Sequence, residues 1–131
     1  MGLFNKFFGE STTKETTTAE GLNWQVLDSQ AGLQEIIRQS SEKPQIIFKH
    51  STRCHISAMV KRGLERTWDI DAETATIHYL DLIRYRPISN QIASDFGVRH
   101  ESPQILIIKD GVSVYDTSHN DISVDKIREV V

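Results

Sequence analysis

Past the first twenty residues, apolar positions alternate between strand-like runs and helix-like spacings. "NWQVLD" reads as a short strand, and Leu33, Ile36 and Ile37 then recur at spacings of three and four, predicting a helix capped by Asp28 or Ser29. "PQIIFKH" is a strand of the buried type. "ISAMVKRGLERTW" places Ile56, Met59, Val60 and Leu64 on one side of a helix despite the cost of Gly63. "ATIHYLDL" is the next strand, and "PISNQIASDFG" a helix opened by Pro87 and stopped by Gly97. In "PQILIIKDGVSVYDT" the pair Asp110-Gly111 separates two β-rich runs and suits a two-residue hairpin turn. Ser123 then caps a last helix, with Val124, Ile127, Val130 and Val131 on or near one face. The order β, α, β, α, β, α, β, β, α predicts an α/β fold: a mixed sheet with helices on both faces, closed by a hairpin and helix.

The opening twenty residues differ in kind. "MGLFNKFFG" clusters Leu3, Phe4, Phe7 and Phe8 in one short amphipathic turn, suited to docking on the domain, a membrane surface or a partner. "ESTTKETTTAEG" has almost nothing to bury and reads as a linker. Residues 1–20 are therefore expected to be a flexible segment, and 21–131 one folded domain. Lys6 occupies the position where a myristoylation signal needs Ser or Thr, and the start lacks the basic and long apolar regions of a secretory signal. With 131 residues, 38% of them hydrophobic, the chain can build one modest core. A formal charge of −3 without a Lys/Arg cluster argues against nucleic-acid binding. No apolar run approaches the roughly 20 residues of a membrane span. A reducing, cytoplasmic setting fits a chain with a single cysteine, which cannot form an intrachain disulfide.

That cysteine, Cys54, falls in "KHSTRCHISAMV", where a buried strand gives way to a helix. Unpaired backbone N–H groups converge at a helix start and the macrodipole is positive there, so a thiolate is favoured over a thiol. Arg53 and His55 flank it, and a nearby cation acts in the same direction. His50, His55 and His100 can approach Cys54 as a soft metal-binding set, but their spacing matches no metal motif and no metal is assigned. His78, in a central strand, reads as a hydrogen-bonded core residue. Trp24, Trp68 and Tyr79 read as packing.

A strand ending "HSTRC", a helix beginning "HIS", the succession of elements after it and a proline opening the penultimate strand together resemble the thioredoxin-like fold. Ser57 stands where the second cysteine of a CxxC pair would be, making the site a monothiol CxxS version. More narrowly, "STRCHIS" with "GVRHESPQILIIKDG" and the later "TSH" resembles the YtxJ-type monothiol bacilliredoxins over residues 22–131, a family whose usual active-site string is TCPIS. Two departures stand out. Arg53 lies between Thr52 and Cys54, and His55 replaces the proline, restoring a backbone donor and adding a titratable ring.

The resemblance implies a thiol-disulfide oxidoreductase with Cys54 as nucleophile, lifting bacillithiol or another low-molecular-weight thiol from S-thiolated proteins. It implies no bound cofactor, the small thiol being a co-substrate. Thr52, Arg53, His55 and Ser57 would tune the thiolate, although a one-sulfur mechanism asks nothing of Ser57 beyond helix compatibility. It also implies a cis peptide at Ser102-Pro103, whose backbone would meet an extended substrate. Arg53, Arg99 and His100 would pair with carboxylates of the small thiol. Two other functions are compatible with the same residues: a monothiol glutaredoxin-like protein holding an iron-sulfur cluster or metal, and a non-catalytic stress or adaptor domain whose cysteine is merely modified.

Overall fold

The computed structural model describes residues 16–19 and 22–131. The apolar opening segment 1–9 lies outside the described residues. Six strands form one sheet in the order β1-β2-β4-β3-β5-β6: β1 Thr16–Ala19, β2 Leu22–Val26, β3 Gln45–His50, β4 Thr76–Asp81, β5 Gln104–Lys109 and β6 Val112–Ser118. The central β2, β4 and β3 are parallel. β1, β5 and β6 each run antiparallel to their neighbours. Helices α1 Gln30–Gln39, α2 His55–Thr67, α3 Arg86–Phe96 and α4 Val124–Val130 complete the fold, with a 3-10 turn at His119–Asp121.

Each strand–helix alternation expected from the apolar pattern is present, and the terminators behave as expected. Ser29, rather than Asp28, caps α1, its hydroxyl accepting from Gly32 N–H at 2.9 Å. Ser123 caps α4 by accepting from Lys126 N–H at 3.2 Å. Gly97 ends α3 in the left-handed region at φ 65°. Asp110 and Gly111 carry φ of 50° and 79°, which matches the twist of a tight hairpin between β5 and β6.

The alternation of side chains along the strands divides the core in two. On one face Trp24, Ile46, Phe48, Ile77, Ile105 and Ile107 pack under α2 and α4 through Leu64, Val124 and Ile127. On the other, Ile47, Leu80, Leu106 and Ile108 pack under α1 and α3 through Leu33, Ile36, Ile88 and Ile92. Trp24 and Trp68 are core residues, as expected. His78 is also buried in β4, with Nε2 2.7 Å from Gln45 Oε1.

Two expectations are corrected. Thr16–Ala19, within the stretch read as a linker, is an edge strand in register with β2, Thr17 opposite Trp24. An edge strand can be held by backbone hydrogen bonds alone, and threonine is β-branched, so low hydrophobicity did not exclude it. The second concerns α2. Ile56 and Met59 are 43% and 53% exposed, whereas Ser57 and Leu64 are buried. The helix is rotated by about one residue from its apolar stripe because Ser57, and not Ile56, is anchored beneath it.

Candidate active site

The β3–α2 junction carries the thiol. β3 ends at His50, and the chain turns through Ser51, Thr52 and Arg53, with Cys54 N–H donating to Ser51 O at 3.1 Å. Cys54 is the N-cap of α2, extended at φ −106° and ψ 122°, and its carbonyl accepts the first helical bond from Ala58 N–H at 3.1 Å. Its side chain makes no capping bond, so the sulfur is free and half-buried. This is the helix-start position read from the sequence.

The supporting residues divide sharply. Thr52, Arg53 and His55 are exposed, and the side chains of Arg53 and His55 make no hydrogen bond or ion pair among the described residues. Ser57 points the other way. It is 0% exposed, its hydroxyl accepting from Ser51 N–H at 3.1 Å and lying 2.8 Å from His50 Nδ1. The one-sulfur mechanism asks only helix compatibility of position 57, and in the structure the hydroxyl there also joins α2 to the end of β3. Further along α2, Lys61 Nζ lies 5.6 Å from both the Trp24 and Tyr79 ring centres and pairs with Glu65 at 2.6 Å. Trp24 Nε1 donates to the same carboxylate at 2.8 Å.

The loop before β5 meets this junction through sheet register. Lys49 pairs with Gln104, so Pro103 lies level with the end of β3. Ser102-Pro103 is a cis peptide, as the resemblance implied. The loop is held from both sides: Gln104 Nε2 donates to Arg99 O at 2.9 Å, and His119 N–H to Pro103 O at 2.9 Å. Neither the Ser102 backbone nor its hydroxyl has a partner among the described residues.

The two loop cations differ. Arg99 reaches into solvent, its side chain 86% exposed and 3.9 Å from Glu101. His100 turns toward α3, with Nε2 2.8 Å from Ser89 Oγ. Burial, with Lys49 and Arg86 nearby, lowers its pKa, which favours the neutral ring. His100 is thus the weaker partner for a carboxylate. Lys49, which the sequence reading left unassigned, is fully buried, with Nζ 3.3 Å from Ser89 O. Burial, then repulsion from Arg86, lowers its pKa to about 8. The signal in the sequence was a lysine and a histidine, Lys49 and His50, at the end of a strand otherwise read as buried, since buried polar groups require partners.

No group of three or more His, Cys, Asp and Glu among the described residues is arranged to hold a metal ion. No helix among them is long and apolar enough to cross a membrane.

The family model for the monothiol bacilliredoxin BrxC matches residues 25–127. Among solved structures, a thioredoxin-fold protein provisionally described as an oxidoreductase is 28% identical, with a TM-score of 0.68 over 79% of this chain and 89% of that one. Thioredoxin from Malassezia sympodialis is 16% identical, with a TM-score of 0.65 over 87% of this chain and 91% of its own. Thioredoxin from Fasciola hepatica is 19% identical, with a TM-score of 0.60 over 80% and 93%. These two share the fold. One free thiol at the start of α2, serine three residues on and a cis-proline loop level with the end of β3 agree with these matches: the chain belongs to the monothiol bacilliredoxin family, thiol oxidoreductases of thioredoxin-like fold.

Proposed function

We propose that the protein removes a low-molecular-weight thiol, bacillithiol, from S-thiolated proteins, with Cys54 as the only sulfur that reacts. The observation that carries this reading is the lone half-buried cysteine at the N-cap of α2, followed after three residues by a buried serine instead of a second thiol. In the first step the Cys54 thiolate attacks the small-thiol sulfur of the mixed disulfide. The target protein leaves as its thiolate and takes a proton from water, and the small thiol is now disulfide-bonded to Cys54. In the second step another small thiolate attacks the adduct, releasing Cys54 as thiolate and the small thiol as its symmetrical disulfide. Electrons balance across the two steps, and no other cysteine exists in the chain to take the second one. The unpaired Ser102 backbone would hold the segment around the modified cysteine of the target, and Arg53 and Arg99 would meet the carboxylates of bacillithiol.

The test uses a model protein carrying bacillithiol on one cysteine. Reduced protein should acquire the mass of bacillithiol on Cys54 while the target is freed, and Cys54→Ser should do neither. If release is no faster than with an equal concentration of free thiol, the reading fails. A glutathione-loaded target that reacts equally well would show that the carboxylate contacts do not select bacillithiol.

A further inference from the structure

A one-sulfur mechanism assigns no task to Ser57, yet the fold buries this serine completely and leaves Ile56 and Met59 in solvent. Its oxygen is shared by the last residue of β3, His50, and the first residue of the turn, Ser51, at 2.8 and 3.1 Å. The carbonyl of Ser51 in turn receives the N–H of Cys54 at 3.1 Å. Three short contacts thus run from the His50 ring to the residue that carries the sulfur.

His50 is itself fixed in place. It is 6% exposed, and its ring centre lies 5.8 Å from that of Phe48 and 5.5 Å from that of Tyr79. The charged and titratable groups around it are Lys61 and Glu65 from α2 and Tyr79 and Asp81 from β4. Burial first, and then Lys61, lowers its pKa, so the ring is neutral at neutral pH. A serine near the start of a helix can otherwise rotate its hydroxyl toward a carbonyl of the preceding turn. Ser51 N–H would then lose its acceptor inside the protein. The imidazole nitrogen removes that alternative by engaging the hydroxyl from the sheet side.

We propose that Ser57 and His50 are positioning residues for Cys54: together they clamp the Ser51–Cys54 turn between β3 and α2 and so set the direction of the sulfur. This rests on Cys54 being the reacting thiol. It goes beyond the exchange reaction in assigning work to a position that the monothiol chemistry leaves empty.

The test compares the whole protein with Ser57→Ala, His50→Phe, the double variant and His50→Asn, all under conditions where urea titration shows each to be folded. His50→Phe keeps a ring between Phe48 and Tyr79 but loses the nitrogen. His50→Asn returns an amide near the position of Nδ1. Two readouts are taken: the rate of Cys54 alkylation by iodoacetamide across pH, and kcat and KM for release of the small thiol. Ser57→Ala and His50→Phe should each lower both the alkylation plateau and kcat by about tenfold, less than the roughly hundredfold cost of a 1 Å misplacement, with KM little changed. The double variant should be no worse than either single, because both remove one clamp. His50→Asn should recover part of the loss. Folded Ser57→Ala and His50→Phe variants that alkylate and turn over like wild type would overturn the proposal, as would a double variant whose loss is the product of those two singles. If Ser57→Ala does not fold, the contrast between His50→Phe and His50→Asn decides alone. Alkylation requires no thiolated protein, so a wrong choice of substrate would abolish release in every variant and leave the alkylation contrast intact.

Discussion

Acidifying the solvent should destabilise the fold through His78, an imidazole remote from the thiol chemistry. It is 8% exposed in β4, and Nε2 faces Gln45 Oε1 at 2.7 Å. Because Gln45 Nε2 donates to Lys43 O at 3.1 Å, the amide oxygen is what remains for the ring, and the neutral imidazole donates from Nε2. Burial lowers the pKa of His78 from 6.5 to about 4. As pH falls through this window the unfolded chain takes up a proton that the native ring refuses, so stability declines. The contribution is complete above about pH 6.5 and gone below about pH 4. At about 1.4 kcal/mol per pH unit the full loss is about 3 kcal/mol, of which about 2 kcal/mol is already lost at pH 5. Urea unfolding at pH 7.5, 6 and 5 measures it against His78→Gln, which retains an amide for Gln45 but cannot titrate. The variant should be less stable at neutral pH and lose less on acidification, since carboxylates and the other histidines titrate alike in both proteins. Parallel pH dependences would refute the assignment of a neutral, proton-refusing His78.

Two backbone substitutions are expected to move stability in opposite directions. Gly63 lies inside α2 with nothing within 4 Å of an added Cβ, so Gly63→Ala should raise stability. The gain should approach about 1 kcal/mol, seen as a melting temperature higher by several degrees, and a loss would mean that the flank of α2 is closed. Gly111 has φ 79°, and an added Cβ would meet only Ile37 Cγ2 at 3.9 Å. Gly111→Ala should therefore cost about 1 kcal/mol through backbone strain alone in urea titration, and a neutral result would argue against a left-handed turn there.

The elements were legible where local chemistry and the global fold agree. Ser29, Ser123, Pro87, Gly97 and Asp110-Gly111 each terminate or turn the chain through their own conformational preference, and the central strands β3 and β5 are buried on both faces. β1 was missed because an edge strand can be held by backbone pairing, which leaves no apolar period to read. The face of α2 was misread for a related reason. Apolar spacing reports where a helix could be greasy, and here a hydrogen-bonded serine decides which side goes inward.

The thiol was also placed from sequence, but the company it keeps was not. Arg53 and His55 adjoin Cys54 in the chain, and at a turn adjacent residues diverge, so both side chains end in solvent. The groups behind the turn come from elsewhere and meet at the His50 ring: His50 from the end of a strand, Ser57 from the first turn of the following helix, and Tyr79 from the parallel strand beside it. The cis-proline loop is farther still along the chain and arrives only because β5 runs antiparallel to β3 with Gln104 opposite Lys49. A slip of one residue in that pairing would send Lys49 and Gln104 to opposite faces of the sheet and move the loop along β3. Register is fixed by the alternation of Ile46 and Phe48 with Ile47, and of Ile105 and Ile107 with Leu106 and Ile108, between the two cores. The active-site geometry therefore depends on hydrophobic burial far from the sulfur, and local motifs around Cys54 could not have revealed it.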